Sequence, residues 1–66
     1  MLKLNNLLPL IHGEFKVVEH KLHDVPHTIG SGFNGILSSS AVVDNMIVTR
    51  ITHSNNIIVI EVFENS

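Results

Sequence analysis

The sequence predicts an α+β domain in which a short N-terminal helix packs on an antiparallel sheet of three or four strands that ends in a C-terminal β-hairpin. Three patterns lead to this prediction. Residues 4–11 carry leucine and isoleucine at helical spacing, residues 14–20 alternate with the period of a strand, and residues 46–63 form two apolar runs joined by a turn. With 66 residues, we expect one domain, residues 1–66.

The predicted helix is short and apolar on one side. Its stripe follows the i, i+3, i+4, i+7 pattern: Leu4, Leu7, Leu8 and Ile11. Asn5 or Asn6 suits the N-cap, and Pro9 is tolerated within the first turn, where its missing N–H has no helical acceptor to lose. Gly13 suits the position after the helix. A helix of about two turns is not stable alone, so its stripe should dock on the sheet.

The middle of the chain predicts one clear strand and one weak one. Glu14–His20 alternates, with Phe15, Val17 and Glu19 on one side. Val25–Ile29 is a possible second strand, and Pro26 would restrict it to a sheet edge because proline donates no ladder hydrogen bond. The conformation of Phe33–Val43 is not predicted, and a turn at Asp44-Asn45 should lead into the final hairpin.

The C-terminal hairpin has a predictable register. Asn55-Asn56 tolerates positive φ at both positions, which favours a two-residue type I′ turn. That turn places His53 opposite Ile58 and Arg50 opposite Glu61, where opposite charges form a cross-strand pair. A slip of one residue would lose this pair.

Both faces of this hairpin are largely apolar, so each needs a cover. The face expected to receive the helix carries Ile47, Thr49, Ile51, Ile58, Ile60 and Val62. The other carries Val48, Thr52, Ile57, Val59 and Phe63 around the Arg50–Glu61 pair. Apolar side chains around an embedded ion pair are typical of a protein interface. We therefore predict a protein interface formed by Val48, Arg50, Ile57, Val59 and Phe63, with the alternative that residues 33–43 fold across this face.

Composition argues against several classes of function. The sequence has no cysteine, which excludes disulfides and thiolate zinc sites and fits a reducing compartment. The four Lys/Arg residues are scattered along the sequence and form no basic stripe, and the net charge is −2. Direct nucleic-acid binding is therefore not expected. No apolar run approaches a membrane span, and the N-terminus has no signal-peptide pattern, so we expect a cytoplasmic protein.

Two motifs suggest chemistry weakly. Gly30–Gly35 matches G-x-G-x-x-G, but the expected helix and the acidic residue about 20 positions later are missing, which favours a turn over a nucleotide site. His20, His23 and His27 cluster with Asp24, and three such ligands plus water would make an open zinc site. A small histidine-rich metal-binding domain is therefore an alternative. Our main expectation is a protein with no cofactor, no metal and no catalytic residues, because so small a domain has little room for a substrate cleft.

Three segments resemble short proteins encoded by bacteriophages and prophages of low-GC Gram-positive bacteria. Leu2–Ile11 is similar to their opening "K-L-x-D-L-L-P-L-I" helix, with asparagine where they usually carry aspartate. Val42-Val43-Asp44 and Ile58–Val62 are similar to their "L-L-D" and "L-V-I-E-V" segments, whereas Gly30–Gly35 and the serines after it depart from the pattern.

This resemblance implies phage origin and expression in the cytosol of an infected bacterium, and it transfers no catalytic residue. Small phage proteins of this kind often inhibit host defence, including as anti-CRISPR proteins. We therefore expect a non-enzymatic inhibitor that binds a host protein such as a CRISPR effector subunit, with a homodimer as one form. A minor structural or regulatory phage protein is the remaining alternative.

Overall fold

The computed structural model describes residues 1–39 and 46–64, and this part of the chain contains one short helix, a 3-10 turn and five strands. Helix α1 spans Leu4–Leu7, and the 3-10 turn follows at Leu8–Leu10. The strands are β1 Glu14–His20, β2 His27–Phe33, β3 Ile36–Ser39, β4 Met46–Ser54 and β5 Ile57–Glu64. The predicted Asp44-Asn45 turn and the Val42-Val43-Asp44 segment lie outside the described residues.

The five strands form one mixed sheet in the order β3-β2-β1-β5-β4. Strand β1 is central and pairs in parallel with β5, whereas the other neighbouring strands are antiparallel. The α+β class and the short N-terminal helix are confirmed, but the expectation of three or four antiparallel strands is wrong. The parallel pair arises because the β4–β5 hairpin joins the free edge of β1 through its second strand.

Strand β2 is an interior strand, which corrects the expected edge position. It begins at His27, so Pro26 precedes the ladder and removes no hydrogen bond from it. An Asn34–Gly35 turn then connects β2 to the edge strand β3. Both turn residues have positive φ, 52° at Asn34 and 83° at Gly35, as a tight hairpin turn requires.

The predicted helical stripe faces the core. Leu4 and Ile11 are buried, and Leu7 and Leu8 pack against the buried cluster. The helix starts two or three residues earlier than expected, because Lys3 is the N-cap in place of Asn5 or Asn6, and no side chain caps the helix. Pro9 lies in the first turn of the 3-10 segment, where its missing N–H costs nothing.

The core lies between α1, the 3-10 turn and one side of the sheet. Its buried apolar side chains are Leu4, Ile11, Phe15, Val17, Ile29, Met46, Ile60 and Val62. Glu19 is buried on the same strand face as Phe15 and Val17, and its carboxylate lies 3.8 Å from the Lys21 Nζ. The opposite side of the sheet faces away from the helix.

The register of the C-terminal hairpin matches the prediction from its turn as far as Arg50. Asn55 and Asn56 both have positive φ, His53 pairs with Ile58, and Arg50 pairs with Glu61. A β-bulge at Thr49 then inserts one extra residue into β4, because Val48 pairs with Val62. The bulge reverses the predicted faces of the residues before it.

Candidate protein-docking face

The candidate site is the side of the sheet opposite α1, which we call the back face. The cross-strand pairs place these side chains together on β1, β5 and β4: Glu14, Lys16, Val18, His20, Ile47, Arg50, Thr52, Ser54, Ile57, Val59, Glu61 and Phe63. Strands β2 and β3 extend the same side with Thr28, Ser31, Phe33, Ile36 and Ser38. The back face therefore mixes apolar and polar side chains, and its apolar members include Phe33 and Ile36 as well as those of β1, β5 and β4.

The described elements leave the back face uncovered. The helix and the 3-10 turn contact the other side, and no helix or strand within residues 1–39 and 46–64 lies over this one. Phe63 is 47% exposed, and Val18, Ile57 and Val59 are half-buried. Residues 33–39 form the end of β2, a turn and β3 within the sheet, so this part of 33–43 does not cross the back face; the rest of that segment lies outside the described residues.

A small ionic cluster lies among these apolar side chains. The Glu61 carboxylate accepts from His20 Nε2 through Oε1 at 2.6 Å and contacts Arg50 Nε through Oε2 at 3.6 Å. The Glu61 side chain is 19% exposed, whereas that of Arg50 is 71% exposed. The negative charge of Glu61 is therefore neutralised within the chain, and the guanidinium of Arg50 extends toward solvent.

The bulge at Thr49 shapes this cluster. The Thr49 hydroxyl donates to the Glu61 carbonyl oxygen at 3.2 Å. Because Thr49 is the extra residue, Arg50 pairs with Glu61 while Ile47 pairs with Phe63 on the same face. The bulge thus brings Ile47 onto the back face.

Four of the five predicted interface residues share the back face: Arg50, Ile57, Val59 and Phe63. Val48 does not, since it packs against the core cluster. Its predicted placement is wrong because the bulge moves it to the helix side. The bulge also moves Ile47, expected on the helix side, to the back face. Sequence reasoning also missed Val18 and His20, which reach the face only through the parallel pairing of β1 with β5.

The three clustered histidines do not form a shared site. The His20 side chain contacts Glu61, and His27 Nε2 lies 3.3 Å from Asp24 Oδ2. His23 lies in the turn after β1 with positive φ. Within the described residues, no group of three or more histidine, aspartate or glutamate side chains is arranged to hold a metal ion.

The loop between β1 and β2 is instead organised by Asp24. Its Oδ1 accepts from the Val25 backbone N–H at 2.8 Å, and Oδ2 contacts His27. The hydrogen bond from Val25, followed by that from His27, lowers the pKa of Asp24 below its ordinary value of 3.8. The Asp24 carboxylate thus stabilises a local turn, and both of its oxygens already have partners within that turn.

The G-x-G-x-x-G match has a structural role. Gly30 and Gly32 belong to β2, and Gly35 is in the hairpin turn, so no helix N-terminus follows for a phosphate. A Cβ on Gly32 would lie 1.9 Å from the Ile36 carbonyl oxygen and 2.7 Å from Phe15 Cζ. A Cβ on Gly35 would lie 2.3 Å from the Leu8 carbonyl oxygen. The glycines allow close packing of strand, turn and helix layers.

Comparisons with known proteins identify no relative: no family model, no curated protein and no solved structure matches the chain. Among the described residues, no helix is long and apolar enough to cross a membrane.

Proposed function

We propose that this protein acts by binding another protein through its back face and catalyses no reaction. The observation that carries this proposal is the β1–β5–β4 half of the sheet, whose apolar side chains no helix or strand of residues 1–39 and 46–64 covers, with Phe63 still 47% exposed. Isolated exposed apolar residues are common on protein surfaces, whereas a contiguous apolar patch marks an interaction site. Ile57 and Val59 are neighbours on this face of β5, and Phe63 lies beside Ile47 on the far side of the Arg50–Glu61 pair. Together they form an apolar patch with one embedded ion pair.

The charges on the back face suit an interface. Burying an unpaired carboxylate would carry a large desolvation cost, but Glu61 already contacts both His20 and Arg50. Arginine and phenylalanine are enriched in interface centres, and Arg50 and Phe63 flank Glu61 on this face. The exposed guanidinium can pair with a carboxylate or carbonyl on the bound surface.

The finer proposal concerns the partner. We propose a phage-encoded inhibitor that binds a host defence protein, such as a CRISPR effector subunit, in the bacterial cytosol. Its support is the resemblance of Leu2–Ile11 and Ile58–Val62 to small phage and prophage proteins of low-GC Gram-positive bacteria. A partner-binding role also agrees with the interface composition of the back face.

The test compares two matched substitutions. Val59→Glu places a charge at the centre of the back face, and Leu10→Glu makes the same change at a 71% exposed residue on the helix side. Immobilised wild-type and variant proteins are incubated with lysate of a low-GC Gram-positive bacterium, and captured proteins are purified and rebound as single components.

The proposal predicts a captured protein whose reconstituted binding is lost with Val59→Glu and kept with Leu10→Glu. Circular dichroism checks that both variants are folded. A reconstituted partner that binds folded Val59→Glu as tightly as wild type would show that the back face is not the docking surface.

A further inference from the structure

We infer that the back face is also a self-association surface, on which a second copy of this chain packs with two-fold symmetry. The inference deepens the proposed function, because the second copy and a host protein would compete for one face. The resulting dimer would have four layers, with the two sheets inside and the two helices outside.

Self-complementarity is the first reason. A two-fold interface places the same patch on both subunits, so every feature must find its complement within that patch. The back face meets this condition, since it carries both Arg50 and Glu61 among apolar side chains. With the two-fold axis beside this pair, Arg50 of each copy would face Glu61 of the other, and the apolar residues would meet one another.

The geometry of the cluster leaves room for this exchange. The 3.6 Å contact between Arg50 Nε and Glu61 Oε2 is long for a hydrogen bond. The Arg50 side chain is 71% exposed, and a guanidinium has five N–H donors in all. Arg50 can therefore keep its own Glu61 and still donate to a carboxylate on the facing sheet.

The size of the back face is sufficient for a small dimer interface. A standard protein interface buries about 800 Å² on each partner, and the accessible surface of the chain is 4489 Å². Five strands of up to nine residues span roughly 20 by 30 Å. A face-to-face contact that used most of the back face would therefore cover roughly 600 Å² on each copy, at the small end of the standard range.

The position of the Arg50–Glu61 pair indicates where the contact is centred. Val18, Ile57, Val59 and Phe63 lie around it on β1 and β5, whereas Ser31 and Ser38 lie on β2 and β3 beside Phe33 and Ile36. Interfaces have apolar centres and polar rims. Sheets packed face to face lie about 10 Å apart at about 30° to one another. A two-fold axis beside the Arg50–Glu61 pair would centre the contact on β5 and leave the serines of β2 and β3 toward the rim.

A second copy would also add buried apolar surface, which a chain of this length lacks. A domain of about 60 residues buries only about 60% of its unfolded surface, and such domains commonly rely on disulfides, metals or oligomerisation. This sequence has no cysteine. Packing two back faces together would bury Ile57, Val59 and Phe63 without any additional residues.

The test uses charge reversal and mixing. Arg50→Glu and Glu61→Arg each place like charges across the proposed two-fold contact. We expect each variant alone to raise the dimer dissociation constant at least about tenfold. A mixture of the two variants should restore association, because every contact between the unlike subunits is then between opposite charges. Solution mass by light scattering in the micromolar range would report a species of twice the 7.3 kDa chain for wild type and for the mixture.

The double variant Arg50→Glu/Glu61→Arg controls for folding. It keeps opposite charges at positions 50 and 61 within each chain and across the dimer and gives up only the contact of Glu61 with His20, so it should be folded and dimeric even if a single variant is not folded. A wild-type protein that stays at 7.3 kDa throughout the micromolar range would overturn the inference. A folded double variant that is monomeric beside a dimeric wild type would overturn the assigned contact.

These outcomes separate the inference from the proposed function. If the wild type is monomeric and Val59→Glu abolishes binding of the purified partner, the dimer is refuted and the proposed docking function still holds. If the wild type is a dimer, the mixture of the two single variants regains association and no host protein binds, the inference is supported and binding of a host partner is refuted.

Discussion

His20 and Glu61 lie 41 residues apart in the sequence, yet His20 Nε2 is 2.6 Å from Glu61 Oε1 at the centre of the back face. The parallel pairing of β1 with β5 produces this contact by placing Val18 opposite Glu61 and His20 opposite Phe63. An ionised carboxylate can only accept hydrogen bonds, so this hydrogen bond forms when Nε2 carries a proton. The contact joins the central strand to the C-terminal hairpin.

We predict that His20→Ala destabilises the folded chain by about 1–2 kcal/mol, because the partly buried Glu61 loses its shortest contact. His53→Ala is the matched control, since His53 is exposed on β4, and its cost should be below about 0.5 kcal/mol. Urea unfolding followed by circular dichroism measures both. Equal costs for the two variants would show that the His20–Glu61 contact adds nothing to stability.

Asn34 stabilises the junction between the helix layer and the β2–β3 turn. Its Oδ1 accepts from the Gly13 N–H at 2.7 Å, and its own N–H donates to the Gly13 carbonyl oxygen at 3.0 Å. Asn34 also has a φ of 52°, which disfavours most side chains.

This double role predicts an order of stability at position 34. Asn34→Asp keeps the acceptor and tolerates the turn, so it should be close to wild type. Asn34→Gly keeps the turn but loses the acceptor, so it should be less stable. Asn34→Ala loses both, and its free energy of unfolding should fall by about 1–3 kcal/mol in all. Thermal unfolding of the three variants provides the comparison, and an alanine variant as stable as the aspartate variant would contradict this role.

Gly32 is fixed by its neighbours rather than by its backbone conformation. An added Cβ would lie 1.9 Å from the Ile36 carbonyl oxygen and 2.7 Å from Phe15 Cζ, so backbone would have to move. We expect Gly32→Ala to cost about 1–3 kcal/mol or more. Ser31→Ala, at the exposed neighbouring residue, should be nearly neutral. Chemical denaturation measures the free energy of unfolding of both variants. A Gly32→Ala variant as stable as wild type would show that β2 and β3 are less closely packed than these distances indicate.

Asp24 should contribute to the pH dependence of stability in the acid range. Its pKa is lower in the folded chain than the ordinary 3.8, because the Val25 N–H and His27 bind the ionised carboxylate. The unfolded chain therefore takes up this proton first as the pH falls. The stabilisation is complete well above 3.8 and is lost as the pH falls through the folded pKa below that value.

Asp24→Asn removes this contribution, so its melting temperature should fall less steeply than that of wild type between about pH 5 and pH 3. Asp24 is exposed, which makes the difference small. Parallel melting curves in the same buffers give the measurement, and identical slopes in the two proteins would contradict the assignment.

Local patterns in the sequence were sufficient for the helix and the last turn. The stripe from Leu4 to Ile11 needs only helical spacing, and the register that pairs Arg50 with Glu61 follows from the turn at Asn55-Asn56. The Asn34–Gly35 turn was also detectable, because Asn-Gly between Phe33 and Ile36 is a strong hairpin signal, but the G-x-G-x-x-G match obscured it.

Two features had no local signal. The bulge at Thr49 exchanges the faces of Ile47 and Val48, and both are apolar, so the pattern is the same in either arrangement. The parallel pairing of β1 with β5 is a long-range choice that no short window encodes. Predicting the back face therefore succeeded along β5, where alternation is regular, and failed at Val48 and on β1.

The most direct test of the back face as an interface is the solution mass of wild type, Val59→Glu and Leu10→Glu in the micromolar range. The account predicts twice 7.3 kDa for wild type and for Leu10→Glu, and 7.3 kDa for a folded Val59→Glu. The same mass for all three folded proteins would contradict self-association through the back face.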